Sequence, residues 1–227
     1  VGTGITLAIV LGWGSVFSKV KTSSILKGIQ TSNIRKREFV WISLIPAFIM
    51  FVVVATALTT MMLSFMAIGK IKAIGDIGWE RDVVPFAQYM KSVDWGHYVG
   101  SLFLTFFSSI SIAYFIGSLT TDSVQFTTIG WVYMIMVFFF GGATTPIALI
   151  RGGETFGPES GLQAFKFIGY GLPGVYNNFL MADILSSYNK VNSSLISEFD
   201  KMQNIWAPLI FNTGLVLIGT WNITHWR

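Results

Sequence analysis

Few residues in this chain have the type and spacing needed for chemistry. The nearest approach to a phosphate-binding loop is Gly152-Gly153-Glu154-Thr155, which lacks both the longer glycine spacing and the lysine that cradle a nucleotide. ATP hydrolysis is therefore not expected on this chain. Its two histidines, His97 and His225, both stand at the ends of apolar stretches. Gly117-Ser118 with a histidine elsewhere could suggest an intramembrane serine protease. However, Ser118 lies near one end of its stretch and both histidines are distant in sequence. The chain has no cysteine, which excludes disulfides and thiolate metal sites. Asn192-Ser-Ser and Asn222-Ile-Thr match the glycosylation pattern, but the second falls within the end of an apolar stretch. No catalytic, cofactor-binding or metal-ligating residue is expected.

What remains is hydroxyl and aromatic chemistry. Ser101, Thr105, Ser108, Ser111 and Ser118 follow near-helical spacing within one apolar stretch. Such a stripe should face other helices, either as interhelical glue or as the lining of a substrate path. Phe106, Ser108, Tyr114 and Phe138 are the candidates for such a path.

The elements that must position these residues are membrane helices. Hydrophobic residues make up 52% of the chain and charged ones 11%, against about a quarter charged in an ordinary soluble domain. The mean hydropathy is +0.63. Residues 1–18 carry no charge, nor do the intervals from Glu38 to Lys70, Asp94 to Asp122, Asp122 to Arg151 and Lys201 to Arg227. Each is long enough for a helix of about 20 residues to cross a hydrocarbon core. Continuous apolar runs, as opposed to alternating ones, disfavour a β-barrel. The expected fold is an all-α, polytopic transmembrane bundle forming a single domain. Its five spans are placed at about 2–18, 40–66, 98–119, 126–148 and 205–224, with interfacial tryptophans near their ends. The uncharged segment 167–182 contains Gly169, Gly171, Pro173, Gly174 and Asn177-Asn178. It reads as a broken re-entrant or interfacial piece that neighbouring protein must shield.

Orientation follows from the basic residues. Lys19, Lys21, Lys27, Arg35, Lys36 and Arg37 cluster between the first two spans with no acidic residue among them. The positive-inside rule assigns segment 19–38 to the cytoplasm and the loops 67–97 and 149–204 to the outside. Residue 1 is Val and falls outside in this topology, so a sixth helix is expected upstream. The basicity does not resemble a nucleic-acid surface, having no stripe interleaved with stacking aromatics.

Local patterns add detail. Gly2, Gly4, Gly12 and Gly14 make the first span a close-packing helix. Thr22 and Ser23 are plausible caps for a short helix over Ser24–Gln30 with Ile25, Leu26 and Ile29 on one face. Such a helix could dock in a partner's groove or lie on lipid. Pro46 implies a kink in the second span. Val83, Phe86, Met90 and Val93 have the spacing of an interfacial helix. No acidic or basic residue sits mid-span to couple ions or protons.

The order of these parts resembles the ABC-2 type transporter permeases. In that family a basic cytoplasmic segment with a coupling helix reads roughly Glu-Arg-Glu-x-Gly-Thr-Leu-x-x-Leu-x-x-(Ser/Thr)-Pro-x-(Ser/Arg)-Arg-Arg-Glu-Phe. Here SSILKGIQTSNIRKREF is similar, with Leu26, Ile29 and Arg35-Lys36-Arg37-Glu38-Phe39 in matching places. GGATTPIAL resembles the family's small-residue kink and proline, and Leu172-Pro173 its Leu-Pro before the last helix. The order fits nearly the whole chain if the family's first helix precedes residue 1. Lys19, Lys21 and Thr22-Ser23 replace the family's acidic residues, Ser24 its glycine and Asn33 its proline.

The resemblance implies an exporter half that pairs with a second permease subunit and with cytoplasmic ATPases, which hold ATP and Mg. Ser23, Ser24, Leu26, Lys27, Ile29, Arg35 and Arg37 would form the ATPase-coupling surface. The cargo would be amphipathic or lipid-like, and the location the cytoplasmic membrane. The rival readings are an ATP-independent channel or secondary transporter, and a non-transporting scaffold or sensor whose basic loop binds a partner or anionic lipid.

Overall fold

The computed structural model describes residues 1–22, 36–68, 86–141, 169, 171–186 and 201–225. Its regular elements are all helices. Helix α1 runs through three consecutive segments: Gly2–Leu7, the π-helical Ala8–Trp13, and Gly14–Thr22. It is followed by α2 (Lys36–Ile68), α3 (Phe86–Ser92), α4 (Trp95–Leu119), α5 (Ser123–Phe140), α6 (Pro173–Ser186) and α7 (Lys201–His225).

Helix α1 forms the centre of the bundle, packed by α2, α4, α5 and α6. Its glycines make this possible. A methyl group at Gly4 would meet Leu58 of α2, and one at Gly14 would meet Phe126 of α5 and Ala113 of α4. Ile5, Ile9, Val10, Trp13 and Phe17 of α1 are the hub of the main core, which also takes in Phe51, Ile112, Phe126 and Met134. A wide π turn re-aims side chains within a helix. Here Trp13, the last residue of the π segment, sends its indole Nε1–H to the Ser43 carbonyl oxygen of α2 at 2.8 Å. Pro46, lacking an N–H, leaves the carbonyl of Ile42, next to Ser43, without its helical donor. The α2 helix runs through Pro46 without a break.

The side-chain contacts fix the helix directions. Thr6 meets Ser109 and Lys21 meets Gly117, so α1 and α4 run the same way. Asn212 meets Ser108 and Asn222 meets Ser118, so α7 runs parallel to α4 as well. Helix α2 is antiparallel to α1, with Leu58 beside Gly4 and Met50 beside Gly12. Helix α5 is antiparallel too, with Phe126 beside Gly14 and Leu11 beside Gly130. The ends of α1, α4 and α7 therefore gather with the starts of α2 and α5.

Among the described residues, four helices are long and apolar enough to cross a membrane: Gly2–Lys21, Ile42–Ala67, Trp95–Leu119 and Ser123–Phe140. Ile45, Val53 and Phe65 on α2 and Val132, Ile135 and Phe139 on α5 are exposed, an apolar surface that water would not tolerate at this extent. The chain is thus a helical membrane protein. The last expected span, 205–224, is helical from Lys201 to His225 but falls outside those four apolar helices. Gln203, Asn204, Asn212 and Asn222 make it more polar, and Asn212 and Asn222 turn their amides to α4.

Several expected boundaries move for local reasons. Helix α4 begins at Trp95, not 98, because the Asp94 carboxylate caps it by accepting the His97 N–H at 3.1 Å. Helix α5 begins at Ser123, not 126. Asp122 accepts the Gln125 N–H at 2.8 Å, while the Gln125 side chain reaches back to the Thr121 N–H at 3.1 Å, close to a capping box. Helix α5 closes at Phe140, so the remainder of the expected span, 142–148, lies outside the described residues. Helix α2 starts at Lys36, within the segment assigned to coupling.

The segment expected to be broken is a helix from Pro173 to Ser186. Proline at the first helical position costs no hydrogen bond, and Asn177-Asn178, read as breakers, lie inside the helix. At 14 residues it spans about 21 Å, too short to cross alone. Neighbours shield it on most sides, burying Val175, Asn177, Phe179, Leu180, Met181 and Ile184. The segment expected to form an interfacial helix is helical as α3; its Tyr89 is buried and donates to the Leu185 carbonyl at 3.2 Å, and Val93, just past its end, is buried too. Val83 lies outside the described residues.

Candidate functional site

Three features of the bundle could serve a function: the end that carries the basic connection, the polar seams of α4, and a cleft at the opposite end.

At the basic end, the Lys21 ammonium donates to three carbonyl oxygens: Gly117 at 2.7 Å, Thr120 at 3.1 Å and Ser118 at 3.3 Å. These belong to the last turn of α4 and its C-cap, where carbonyls have no helical partner. Thr120 is extended and closes the helix with N–H and hydroxyl bonds to the Ile116 carbonyl, both 3.0 Å. Ser18 donates to the Asp122 carbonyl at 3.4 Å, so α1 also touches the start of α5. Of the expected coupling residues, Ser23, Ser24, Leu26, Lys27, Ile29 and Arg35 lie outside the described residues. Arg37 falls on the first turn of α2, and its side chain is outside them as well.

The hydroxyl stripe of α4 is buried, as interhelical packing requires: Ser101, Thr105, Ser108, Ser111 and Ser118 are each at most 2% exposed. Several bond back to their own helix, as Thr105 does to the Ser101 carbonyl. Others cross the seams. Ser109 donates to Thr6 of α1 at 3.2 Å, and Asn212 Nδ2 of α7 donates to Ser108 at 2.6 Å. Asn222 Nδ2 reaches Ser118 at 3.4 Å. Asn178 Nδ2 of α6 donates to Thr3 at 2.9 Å, and Tyr98 shares a 2.9 Å hydrogen bond with Thr59 of α2.

Of the four candidate path residues, Ser108 and Tyr114 both meet α7, and Phe106 and Phe138 lie elsewhere. Ser108 faces α7 through Asn212. Phe106 stacks on Phe51 of α2, with ring centroids 4.6 Å apart. Tyr114 is buried between Phe17 of α1 and Gly219 of α7. Phe138 is half-buried against the main core from α5. Sequence reasoning did not single out Ser109, Asn212, the Asn178 contact with Thr3 or the capping role of Lys21. An available signal for Asn212 was its position inside a long uncharged stretch, where a carboxamide must face protein.

Not all buried polar groups find partners. Asn177 is fully buried, and neither its Nδ2 nor its Oδ1 meets a partner among the described residues. Asn212 Oδ1 also meets no partner among the described residues.

The cleft lies between α4, α6 and α7 and has a volume of about 660 Å³. Leu104 and Phe107, Leu180 and Ile184, and Ile205 and Leu209 give it apolar walls, with Ser101 among its few polar groups. Asp94 and His97 line its mouth, their side chains joined between Nδ1 and Oδ2 at 2.5 Å. The His97 backbone N–H, and after it the His97 ring, hold the Asp94 carboxyl below the usual carboxylate range.

No family model, characterised protein or solved structure matches the chain.

Proposed function

We propose that this chain is the permease subunit of an ATP-driven ABC exporter, crossing the cytoplasmic membrane five times through α1, α2, α4, α5 and α7. A separate ATPase subunit holds ATP and Mg and docks on segment 19–38, and a second permease subunit completes the pathway. The cargo is amphipathic or lipid-like.

The observation that carries this reading is the Lys21 contact with the end of α4. A push on the connection between α1 and α2 enters α1 directly. Through Lys21 and Ser18 it also reaches the α4 end and the α5 start. Helix α1 contacts most of the other helices, so its displacement is felt across the bundle, as alternating access needs. The basic residues at that end support its cytoplasmic placement.

The test is a mild-detergent pull-down of the full-length protein with mass spectrometry of the co-eluting chains. A stoichiometric P-loop ATPase supports the assignment, and Leu26→Asp or Ile29→Asp should then release it while leaving the bundle folded. Repeated absence of an ATPase from folded protein would favour the channel or scaffold readings.

A further inference from the structure

Helix α1 departs from regular α geometry at its middle. The Gly14 N–H bonds to the Ile9 carbonyl, one residue further back than an α-helix would reach. The π segment Ala8–Trp13 therefore carries one residue more than an α turn needs. Long helices bend sharply at such turns or at proline, and here the two meet at one level. Trp13, which closes the π segment, donates to the Ser43 carbonyl of α2. Beside it is the Ile42 carbonyl, which Pro46 leaves without its helical donor.

The two halves of α1 hold different neighbours. Before the π segment, Thr3 accepts from Asn178 of α6, Gly4 lies against Leu58 of α2, and Thr6 accepts from Ser109 in the middle of α4. After it, Gly14 lies against Phe126 of α5, Ser18 reaches the start of α5, and Lys21 reaches the end of α4.

We propose that the π segment is a hinge at which Gly14–Thr22 swings relative to Gly2–Leu7, and that the Trp13–Ser43 hydrogen bond is its latch. Gly14, next to the hinge, moves least. Farther out, the flexible Lys21 stem and the long 3.4 Å Ser18 contact follow a small displacement. The inference rests on the exporter reading only for what drives the swing. Its test uses no ATPase, so either proposal can fail without the other.

The experiment is double electron–electron resonance on the full-length protein in phosphatidylcholine nanodiscs. The chain has no cysteine, so spin labels go on Val16→Cys, beyond the hinge, and Phe65→Cys, at the far end of α2. Both positions are exposed. The reference pair is Val99→Cys with Leu119→Cys, also exposed and about 30 Å apart along the unbroken α4. Two changes probe the device. Trp13→Phe keeps a ring against Phe17, now stacked at 5.3 Å, but removes the indole donor. Deleting Leu11 lets the π turn close as an α turn while both flanking segments keep their register.

Two Val16–Phe65 distances are expected, the latched one dominant in the wild type. Trp13→Phe should raise the minor share relative to the major by about two- to tenfold, the worth of one hydrogen bond. The Leu11 deletion should leave one narrow distance, and the reference pair should give one distance throughout. A single Val16–Phe65 distance in both wild type and Trp13→Phe, or two distances persisting in the deletion, would overturn the hinge. A balance unmoved by Trp13→Phe would overturn the latch. If the deletion variant does not fold, Trp13→Phe decides alone.

Discussion

Lys21 Nζ and the Gly117 carbonyl oxygen stand 2.7 Å apart across the seam between α1 and α4. With the Ser118 and Thr120 carbonyls, this one ammonium closes the end of a helix whose last turn lies 97 to 99 positions away in sequence. Replacing Lys21 by Met keeps most of the stem and removes the donors. The side chain is only half-buried, so the expected loss is about 1–2 kcal/mol, at the low end for bonds to a charged group. An unchanged thermal midpoint for Lys21→Met in detergent would show that the contact adds nothing to stability.

The α4–α7 seam should behave as a measurable pair. Asn212 Nδ2 and Ser108 Oγ are 2.6 Å apart and both residues are buried. A double-mutant cycle with Asn212→Ala and Ser108→Ala should give a coupling of about 0.6 kcal/mol, the average for interhelical hydrogen bonds in membranes, and at most about 1.7. Strict additivity would mean that the two side chains do not stabilise each other.

Two glycines offer a matched contrast. A Cβ at Gly14 would collide with the Phe126 ring and press on Ala113, whereas one at Gly214 on α7 meets nothing within 4 Å. Gly14→Ala should cost about 1–3 kcal/mol through overpacking. Gly214→Ala should be neutral or gain up to about 1 kcal/mol from helix propensity. Equal effects in unfolding titrations would contradict the close approach of α1 to α5.

Asn177 supplies the opposite kind of prediction. Its buried carboxamide meets no partner among the described residues, so its desolvation is uncompensated there. Asn177→Leu should raise stability by about 1–2 kcal/mol. A fall would show that water or a partner satisfies the amide in the working protein.

Acid should loosen the start of α4. The Asp94 carboxyl is lowered from 3.8 by the His97 N–H and ring. A depressed carboxylate adds stability above the unfolded value, and that stability is lost as pH falls through the lower, folded one. Below pH 3.8 the wild-type melting temperature should therefore decline more steeply than that of Asp94→Asn, which caps without titrating. Parallel curves would remove Asp94 from the acid response.

The charge gaps in the sequence located the helices because burying an unpaired charge in hydrocarbon is so costly. The same gaps end at Asp94 and Asp122, whose capping roles were implicit in where they stand. The α6 region was harder. Gly169, Gly171, Pro173 and paired asparagines carry breaker signals, yet Pro173 starts the helix and tertiary packing holds Asn177 and Asn178 inside it. The polar stripe on α4 was legible as a buried face, but its partners were not. Nothing local in the sequence pairs Ser108 with a residue 104 positions away. For the same reason nothing in the sequence told that Ser108 and Tyr114 both meet α7 while Phe106 turns to α2.

The common direction of α1, α4 and α7 has an electrostatic consequence. Neighbouring antiparallel helices cancel one another's dipoles, but α4 lies between two helices oriented as it is. Each contributes roughly half a negative charge at its C-terminal end. Those ends collect where Lys19 and Lys21 stand, and Asp94 stands at the opposite, positive start of α4. The lopsided placement of charge from which an orientation in the bilayer is expected therefore also opposes the field of the backbone itself.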